Sequence, residues 1–322
     1  MRVVAWLVVA VLTAGCSVLS IDLSPRIKPL EEQTVEGSGD DKILLTDVSG
    51  FLSDESTSGL LTIGTPPARV PLLVRVREEL KKAQGDPKVK ALVLRINTPG
   101  GTVTASDVIF RELQLFKQEK KIPVVAVMMD VAASGGYYVA LAADTIVAHP
   151  TTVTGSIGVI MLSFNAEGLM QKLGVAPSTI KSAERKDMGS PFRALTPEER
   201  AIFQSVIDEL YRQFVAKVVE RRQISEATAR ALGDGRVYTA EQALGHRLVD
   251  RIGYMPDAID VARRAASLEK ARIIVYHRPR QYRATYYAEA QHSEGGFATG
   301  SVLSALGAMA GPGPKFLYLW LP

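Results

Sequence analysis

Short continuous apolar segments alternate along the chain with longer segments in which apolar residues recur at every third or fourth position. Residues 91–96 (ALVLRI) and 124–129 (VVAVMM) have the continuous pattern, which is typical of strands buried on both faces of a parallel sheet. Residues 42–51 also predict a strand, with a glycine bend near its end. A helical rhythm of apolar positions follows Gly101. This alternation predicts an α/β fold with parallel pairing and right-handed crossovers.

Capping residues in the sequence predict where several helices begin. Pro71 can occupy the first turn of a helix. Thr196 is followed directly by proline and, three positions later, by glutamate, which is the capping-box pattern. A long amphipathic helix is therefore expected from there to about Arg222. Thr239 has a similar pattern and predicts a shorter helix, and residues 271–277 predict a late strand.

Composition narrows the class of protein. The chain has 322 residues, of which 47% are hydrophobic and 22% charged, and its formal net charge is +4. These values are typical of a globular protein. Lysine and arginine are scattered rather than clustered, so no surface for nucleic acid is expected.

The first sixteen residues differ from the rest. Arg2 precedes an apolar run over residues 3–12, which is too short to span a hydrocarbon core of ~30 Å comfortably but suits a secretory signal peptide. Its ending, LTAGC, resembles a bacterial lipobox, which implies cleavage before Cys16 and acylation of the Cys16 sulfur. Cys16 is the only cysteine, so it cannot form an internal disulfide. We expect residues 1–15 to be removed and the mature protein to be a lipoprotein, anchored to a membrane outside the cytoplasm, on the periplasmic or outer-surface side.

The remaining chain divides into three parts. Residues 16–41 are polar and contain prolines, so a membrane tether is predicted. Residues 42–270 have no internal repeat and form the predicted catalytic domain. Residues 271–322 comprise a strand and an apolar tail. The glycine-rich end of that tail, residues 293–322, fits two interpretations: an extension that packs on the body, or a segment that docks in a peptide groove or at the membrane interface.

Ser134 lies between a predicted buried strand and an apolar helix, in the sequence DVAASGGYYVALAAD. A serine there is commonly a helix N-cap, but the helix dipole also favours a hydroxyl nucleophile at the same position. A glycine pair ending in Gly101 follows the preceding strand, and ligands of parallel sheets gather at the carboxyl ends of strands. The N–H groups of Gly101 and Gly135 can therefore form an oxyanion hole, although a simple loop turn explains the same glycines.

A hydrolase with such a serine also needs a base. The four histidines have no motif around them and are poor candidates. A lysine accepts a proton only when it is neutral, and because the ordinary lysine pKa is about 10.4, this requires a desolvated position. Lys186 lies in a non-periodic segment between a strand and a capped helix. That position alone does not distinguish Lys186 from an exposed loop lysine.

Three segments, ALVLRINTPGG, DVAASGGYYVALAADTIVAHPTTVTGSIGVI and ERKDMGSPFRALTPEER, resemble the short bacterial form of signal peptide peptidase A. The resemblance implies a serine–lysine peptidase of the crotonase-like fold shared with the Clp proteolytic subunit, in which repeated β-β-α and βα units build a parallel sheet flanked by helices. It implies that Ser134 is the nucleophile, Lys186 the general base and Ser156 a hydrogen-bonding partner of that lysine. It also implies that Gly101 supplies an oxyanion N–H.

The function implied is a membrane-tethered endopeptidase that degrades cleaved signal peptides and similar apolar peptides, with no metal or other cofactor. The resemblance also implies a ring-like homo-oligomer in which Ser134 and Lys186 meet across a subunit boundary. We expect an apolar pocket that accepts small side chains at the cleavage point. Two alternatives remain at this stage: a crotonase-type acyl-CoA enzyme, and a non-catalytic lipoprotein scaffold.

Overall fold

The computed structural model describes residues 28–54, 70–279, 285–287 and 315–321. The predicted signal peptide, Cys16 and most of the tail lie outside the described residues. Within the described ranges, no helix has both the length and the apolar character needed to cross a membrane.

Strands and helices alternate through most of the described chain, as the apolar pattern predicts. The strands are β1 (Glu31–Gly37), β2 (Lys42–Ser49), β3 (Val89–Thr98), β4 (Gly100–Thr102), β5 (Val124–Ala133), β6 (Thr145–Ala148), β7 (Val153–Gly155), β8 (Ile160–Leu162), β9 (Val237–Thr239), β10 (Arg251–Ile252), β11 (Arg272–His277) and β12 (Lys315–Leu319). The helices are α1 (Leu72–Gln84), α2 (Val103–Lys120), α3 (Gly135–Ala140), α4 (Glu167–Lys172), α5 (Pro197–Arg222), α6 (Glu226–Leu232), α7 (Ala240–Gly245) and α8 (Met255–Ala265). A 3₁₀ turn covers Glu184–Asp187.

The main sheet has the strand order β1-β11-β2-β3-β5-β6-β10, with β7 beside β5 and β9 beside β7. The pairs β2–β3, β3–β5 and β5–β6 are parallel, so the predicted α/β fold with a mostly parallel sheet is confirmed. β3 and β5 extend beyond their apolar segments because their last residues still pair with neighbouring strands. β5 consequently ends at Ala133, immediately before Ser134.

Side chains alternate between the two faces of this sheet, and helices cover both faces. Leu44, Leu92 and Leu94 are buried on one face with residues of α1, α2 and α3. Ile43 and Val93 are buried on the other face with residues of α8. Burial on both faces explains why the central strands are continuously apolar.

The two ends of the described chain differ from the sequence expectation. Residues 31–37, expected in the tether, form strand β1 and pair antiparallel with β11. This edge strand is mostly exposed, so its sequence EEQTVEG lacks the apolar pattern of a buried strand, and its pairing depends on backbone hydrogen bonds. β11, expected to lie outside the catalytic domain, pairs in parallel with β2 inside the main sheet. The folded body therefore includes residues on both sides of the 42–270 segment.

Candidate active site

Ser134 follows β5 directly and has an uncommon backbone conformation, with φ 53° and ψ −112°. Positive φ is unfavourable for residues other than glycine and persists only where the surrounding structure enforces it. The Ser134 N–H donates to the carbonyl oxygen of Gly155 over 2.7 Å, and the Ser134 carbonyl accepts from Tyr138 N–H over 2.9 Å. The Ser134 side chain makes no capping hydrogen bond to α3 and is 1% exposed. The hydroxyl is thus not used as a helix cap.

Ser156 lies beside Ser134. β7 pairs in parallel with β5, and in this register Ala133 is opposite Gly155, so the next residue of each strand is one of the two serines. Ser156 is buried, has φ 49° and donates its backbone N–H to the Arg236 carbonyl over 2.8 Å. Two strained serines therefore follow the carboxyl ends of neighbouring parallel strands.

The glycines after β3 approach the Ser134 turn closely. Gly100 has φ 107°, and a Cβ placed on it would lie 2.8 Å from the backbone nitrogen of Gly135. The Gly100 carbonyl accepts from Leu52 N–H over 2.9 Å, and Thr102 N–H donates to the Leu52 carbonyl over 2.8 Å. The N–H of Gly101, which lies between these groups, therefore faces the opposite side of β4. Sequence reasoning singled out the glycine pair but assigned a role only to Gly101, whereas Gly100 makes the close approach to the Gly135 nitrogen.

Strand β12 occupies the cleft beside these glycines. It lies between β4 and β8 and is antiparallel to both, with Tyr318 opposite Gly101. The Tyr318 carbonyl oxygen lies 1.9 Å from an ideal Cβ position on Gly100 and 3.1 Å from one on Gly135. Residues 315–319 therefore pack on the body of the protein as a strand, and a peptide groove at this place stays a prediction.

Lys186 is placed differently from the other predicted site residues. It is exposed on the 3₁₀ turn, and its backbone N–H donates to the Ala183 carbonyl over 3.1 Å. Among the described residues, no hydrogen bond joins the Lys186 side chain to Ser134 or Ser156. Within one chain, therefore, the structure brings Ser134, Ser156, Gly101 and Gly135 together and leaves Lys186 outside that cluster.

An ion-pair network holds the turn that carries Lys186. Arg193 donates to both carboxylate oxygens of Asp187, over 2.8 and 3.1 Å, and to both carboxylate oxygens of Glu199, over 2.6 and 2.8 Å. Hydrogen bonds from Arg193 and Lys181 hold the pKa of the Asp187 carboxyl well below its usual range. Hydrogen bonds from Arg193 lower the pKa of Glu199 to about 2. Sequence reasoning missed this network because no local spacing rule joins its members.

The same network connects the turn to helix α5. Glu199 also accepts the backbone N–H of Thr196 over 3.1 Å, and the Thr196 hydroxyl accepts the Glu199 N–H, which completes the predicted capping box. Arg193 therefore joins Asp187, the neighbour of Lys186, to the capped N-terminus of a 26-residue helix.

The segment around Lys186 exposes apolar side chains. Neither α4 nor the 3₁₀ turn contains a buried residue. We call residues 164–192, which include Lys186, the arm. Its exposed large apolar residues are Phe164, Leu169, Leu173, Val175, Ile180 and Phe192. Exposed apolar surface of this kind commonly marks an interaction site.

Strand pairing places Ser156 beside Ser134, and close backbone approach places Gly100 beside Gly135. In the part of the chain that the structure describes, no group of three or more histidine, cysteine, aspartate or glutamate residues is arranged to hold a metal ion. The arrangement suits nucleophilic attack by a hydroxyl on a carbonyl whose oxygen lies against the two glycine segments.

Comparison with known proteins is consistent with this chemistry. The family model for peptidase family S49 matches residues 116–269, and the model for Clp protease matches residues 74–153. The chain is 37% identical, over 76% of its length and 70% of the relative, to a protein of Enterococcus faecium named as a candidate signal peptide peptidase SppA. It is 36% identical to the chloroplastic serine protease SPPA of Arabidopsis thaliana, over 63% of this chain and 30% of that protein.

A further relative is Protease 4 of Salmonella typhi, which is 37% identical over 62% of this chain and 32% of its own length. These relatives favour a peptidase over the acyl-CoA enzyme and over the non-catalytic scaffold. From the extent of the similarity, the chain belongs to peptidase family S49, together with the signal peptide peptidase A proteins, and is a serine protease.

Proposed function

We propose that this serine protease is a membrane-tethered endopeptidase that degrades cleaved signal peptides and similar apolar peptides with a Ser134–Lys186 dyad. The observation that carries the proposal is the conformation of Ser134. Its backbone is strained and its hydroxyl takes no part in capping α3, so the strain serves no structural purpose at that helix. Strain maintained at a buried serine is typical of a functional site.

The chemistry follows from the groups around Ser134. The neutral amine of Lys186 accepts the Ser134 proton while Oγ attacks the peptide carbonyl carbon, and the N–H groups of Gly101 and Gly135 stabilise the resulting oxyanion. The protonated amine then donates its proton to the leaving peptide nitrogen, which leaves an acyl-enzyme. Water hydrolyses this ester with Lys186 again as base, and Ser156 orients the lysine by a hydrogen bond.

Lys186 reaches the nucleophile, in this proposal, from a neighbouring subunit. Two observations support this arrangement: Lys186 is exposed within its own chain, and the arm that carries it has an uncovered apolar surface. A second copy of the chain that covers the arm would also remove water from Lys186, which favours the neutral amine. A head-to-tail contact of this type closes into a ring.

Mixing inactive variants tests the shared dyad. Ser134→Ala and Lys186→Ala should each abolish hydrolysis of a quenched apolar peptide, whereas Lys172→Ala, which removes an exposed lysine of the same arm, should not. After subunit exchange, an equal mixture of the two inactive variants should recover about a quarter of wild-type activity, because each site needs one intact residue from each of two neighbours. Full activity in Lys186→Ala would refute the base, and no recovery after demonstrated exchange would refute the shared site.

The pH profile gives a second test of the base. A neutral amine is required, so turnover should rise as the pH increases from neutral to mildly alkaline. A flat profile over that range, measured on an enzyme that remains folded, would contradict the role of Lys186.

The membrane anchor is proposed from the N-terminal sequence. Cys16 follows an apolar run and small residues, and we propose that the mature protein is lipidated there and held outside the cytoplasm on the periplasmic or outer-surface side. Metabolic labelling with a lipid precursor should mark the wild-type protein but not Cys16→Ala. Equal labelling of both proteins would exclude this anchor.

A further inference from the structure

Tyr238 packs against Gly155, the residue that connects the two buried serines of the candidate site. β9 pairs antiparallel with β7, and in this register Tyr238 lies opposite Thr154 and Val237 lies opposite Gly155. Two atoms of the Tyr238 ring, Cδ2 and Cε2, lie 2.5 and 3.1 Å from the position that a Cβ on Gly155 would take. The ring therefore occupies the space next to the Gly155 α-carbon.

Gly155 is linked to both serines through the backbone. Its carbonyl oxygen accepts the Ser134 N–H over 2.7 Å, and Ser156 is its covalent neighbour. All three residues have positive φ, with values of 85° for Gly155, 53° for Ser134 and 49° for Ser156. Strained backbone of this kind persists only where the surrounding structure holds it. The position of Gly155 therefore affects the backbone orientation of both serines.

The far end of the Tyr238 side chain is also fixed. Its hydroxyl donates to the Leu232 carbonyl over 2.9 Å, at the C-terminal end of α6, and the residue is 5% exposed. Just before β9, the Arg236 carbonyl accepts the Ser156 N–H over 2.8 Å. The Tyr238 ring is thus held between α6 and Gly155, and the backbone next to it holds Ser156.

We propose that Tyr238 is a positioning residue for the reaction: its ring holds Gly155 in place, and Gly155 in turn holds the strained backbone of Ser134. The proposal rests on the proposed function for the role of Ser134 as nucleophile. Misplacing a reacting group by about 1 Å can cost on the order of 100-fold in rate. Because the Tyr238 side chain is buried between α6 and β7 and acts through the backbone, its loss should lower kcat and leave KM unchanged.

Two substitutions of Tyr238 separate the effect of the ring from that of the hydroxyl. Tyr238→Leu removes the ring from Gly155 and should lower kcat for an apolar peptide roughly 10- to 100-fold, with KM unchanged. Tyr238→Phe keeps the ring and removes only the hydrogen bond to Leu232, so the melting temperature should fall while kcat stays within about twofold of wild type. Wild-type kcat in folded Tyr238→Leu, or an equal loss of kcat in Tyr238→Phe, would overturn the proposal.

Tyr276→Leu is the matched control for the loss of a buried tyrosine. Tyr276 is buried on β11, which is separated from β7 by β2, β3 and β5. This substitution should lower the melting temperature, as Tyr238→Leu does, but leave kcat unchanged. An equal loss of kcat in the two leucine variants would assign the effect to lower stability and refute positioning by Tyr238.

Gly155→Ala perturbs the same contact from the other side and covers the case in which Tyr238→Leu fails to fold. The added Cβ would overlap the Tyr238 ring, so kcat should again fall at least about tenfold. In Gly39→Ala, which has φ 112° but meets no atom closer than 3.3 Å, kcat should stay at the wild-type value. Wild-type kcat in folded Gly155→Ala would contradict the proposal.

Amide hydrogen exchange gives a readout that does not depend on turnover. Exchange of the Ser134 N–H should become faster in Tyr238→Leu, because its hydrogen bond to Gly155 is loosened, and should stay unchanged in Tyr276→Leu. Equal exchange in wild type and Tyr238→Leu would refute the positioning of Ser134. Faster exchange in Tyr238→Leu together with a wild-type protein that hydrolyses no peptide would support the positioning and refute the proposed function instead.

Discussion

Gly100→Ala tests the geometry of the oxyanion site most directly. An alanine Cβ at this position would lie 1.9 Å from the Tyr318 carbonyl oxygen and 2.8 Å from the Gly135 nitrogen, both below the 3.0 Å under which real Cβ contacts essentially do not occur. The carbonyl in the cleft and the Gly135 N–H must therefore both move. In addition, alanine at φ 107° costs about 1–3 kcal/mol of backbone strain.

Gly39→Ala is the matched control for this substitution. Gly39 has φ 112°, almost the same as Gly100, but its nearest neighbour would be the side-chain Cβ of Lys270 at 3.3 Å, in the turn between β1 and β2. Both variants should show a lower melting temperature, by about 2–4 °C for each kcal/mol lost in domains of comparable size. Only Gly100→Ala, which displaces groups next to Ser134, should lower the rate of peptide hydrolysis.

The assay compares kcat at saturating peptide with thermal unfolding. Displacing an oxyanion donor commonly costs 100-fold or more, so kcat of Gly100→Ala should fall by roughly two orders of magnitude while kcat of Gly39→Ala stays near wild type. Wild-type kcat in folded Gly100→Ala would refute the placement of the oxyanion site. An equal loss of kcat in both variants would show that backbone strain alone is responsible.

Three further predictions concern stability. Tyr137→Phe should cost about 1–3 kcal/mol in chemical denaturation, because the fully buried Tyr137 hydroxyl donates to the Leu248 carbonyl over 3.0 Å; an unchanged midpoint would contradict this. Thr196→Ala should cost about 1 kcal/mol through loss of the α5 cap, and Thr196→Ser should restore most of it. Because the folded pKa of Glu199 is depressed from 4.5 to about 2, its stabilisation is present above about pH 4.5 and is lost as the pH falls toward 2. The melting temperature of Arg193→Met should therefore fall less steeply over that acid range than that of wild type, and parallel curves would exclude the Arg193–Glu199 contribution.

Local sequence determined much of the secondary structure. The continuous apolar segments became β3 and β5, and the capping box at Thr196 begins α5 where predicted, because burial on both faces and N-terminal capping are encoded within a few residues. The polar edge strand β1 was missed because it has no such local signal. Its pairing with β11 depends on backbone groups that every sequence has.

The residues of the candidate site could be identified from the sequence, but the conformation of Ser134 could not. Ser134, Gly101 and Gly135 were identifiable because each comes shortly after a buried parallel strand, β3 or β5, and the carboxyl ends of such strands meet at one edge of a sheet. The strain at Ser134 depended on the tertiary structure, because the β5–β7 pairing that fixes its N–H joins segments distant in the chain.

Sequence alone therefore determined the buried central strands, the capped helices and the candidate residues for chemistry. Only the tertiary structure decided that β12 lies in the cleft, that Tyr318 fills an aromatic pocket, and that Lys186 is exposed on the arm within one chain. The physical reason is that periodicity and capping act over a few neighbouring residues. The positions of β12 and Tyr318 depend on contacts between segments that are far apart in sequence. The exposure of Lys186 depends on a surface that one chain leaves uncovered.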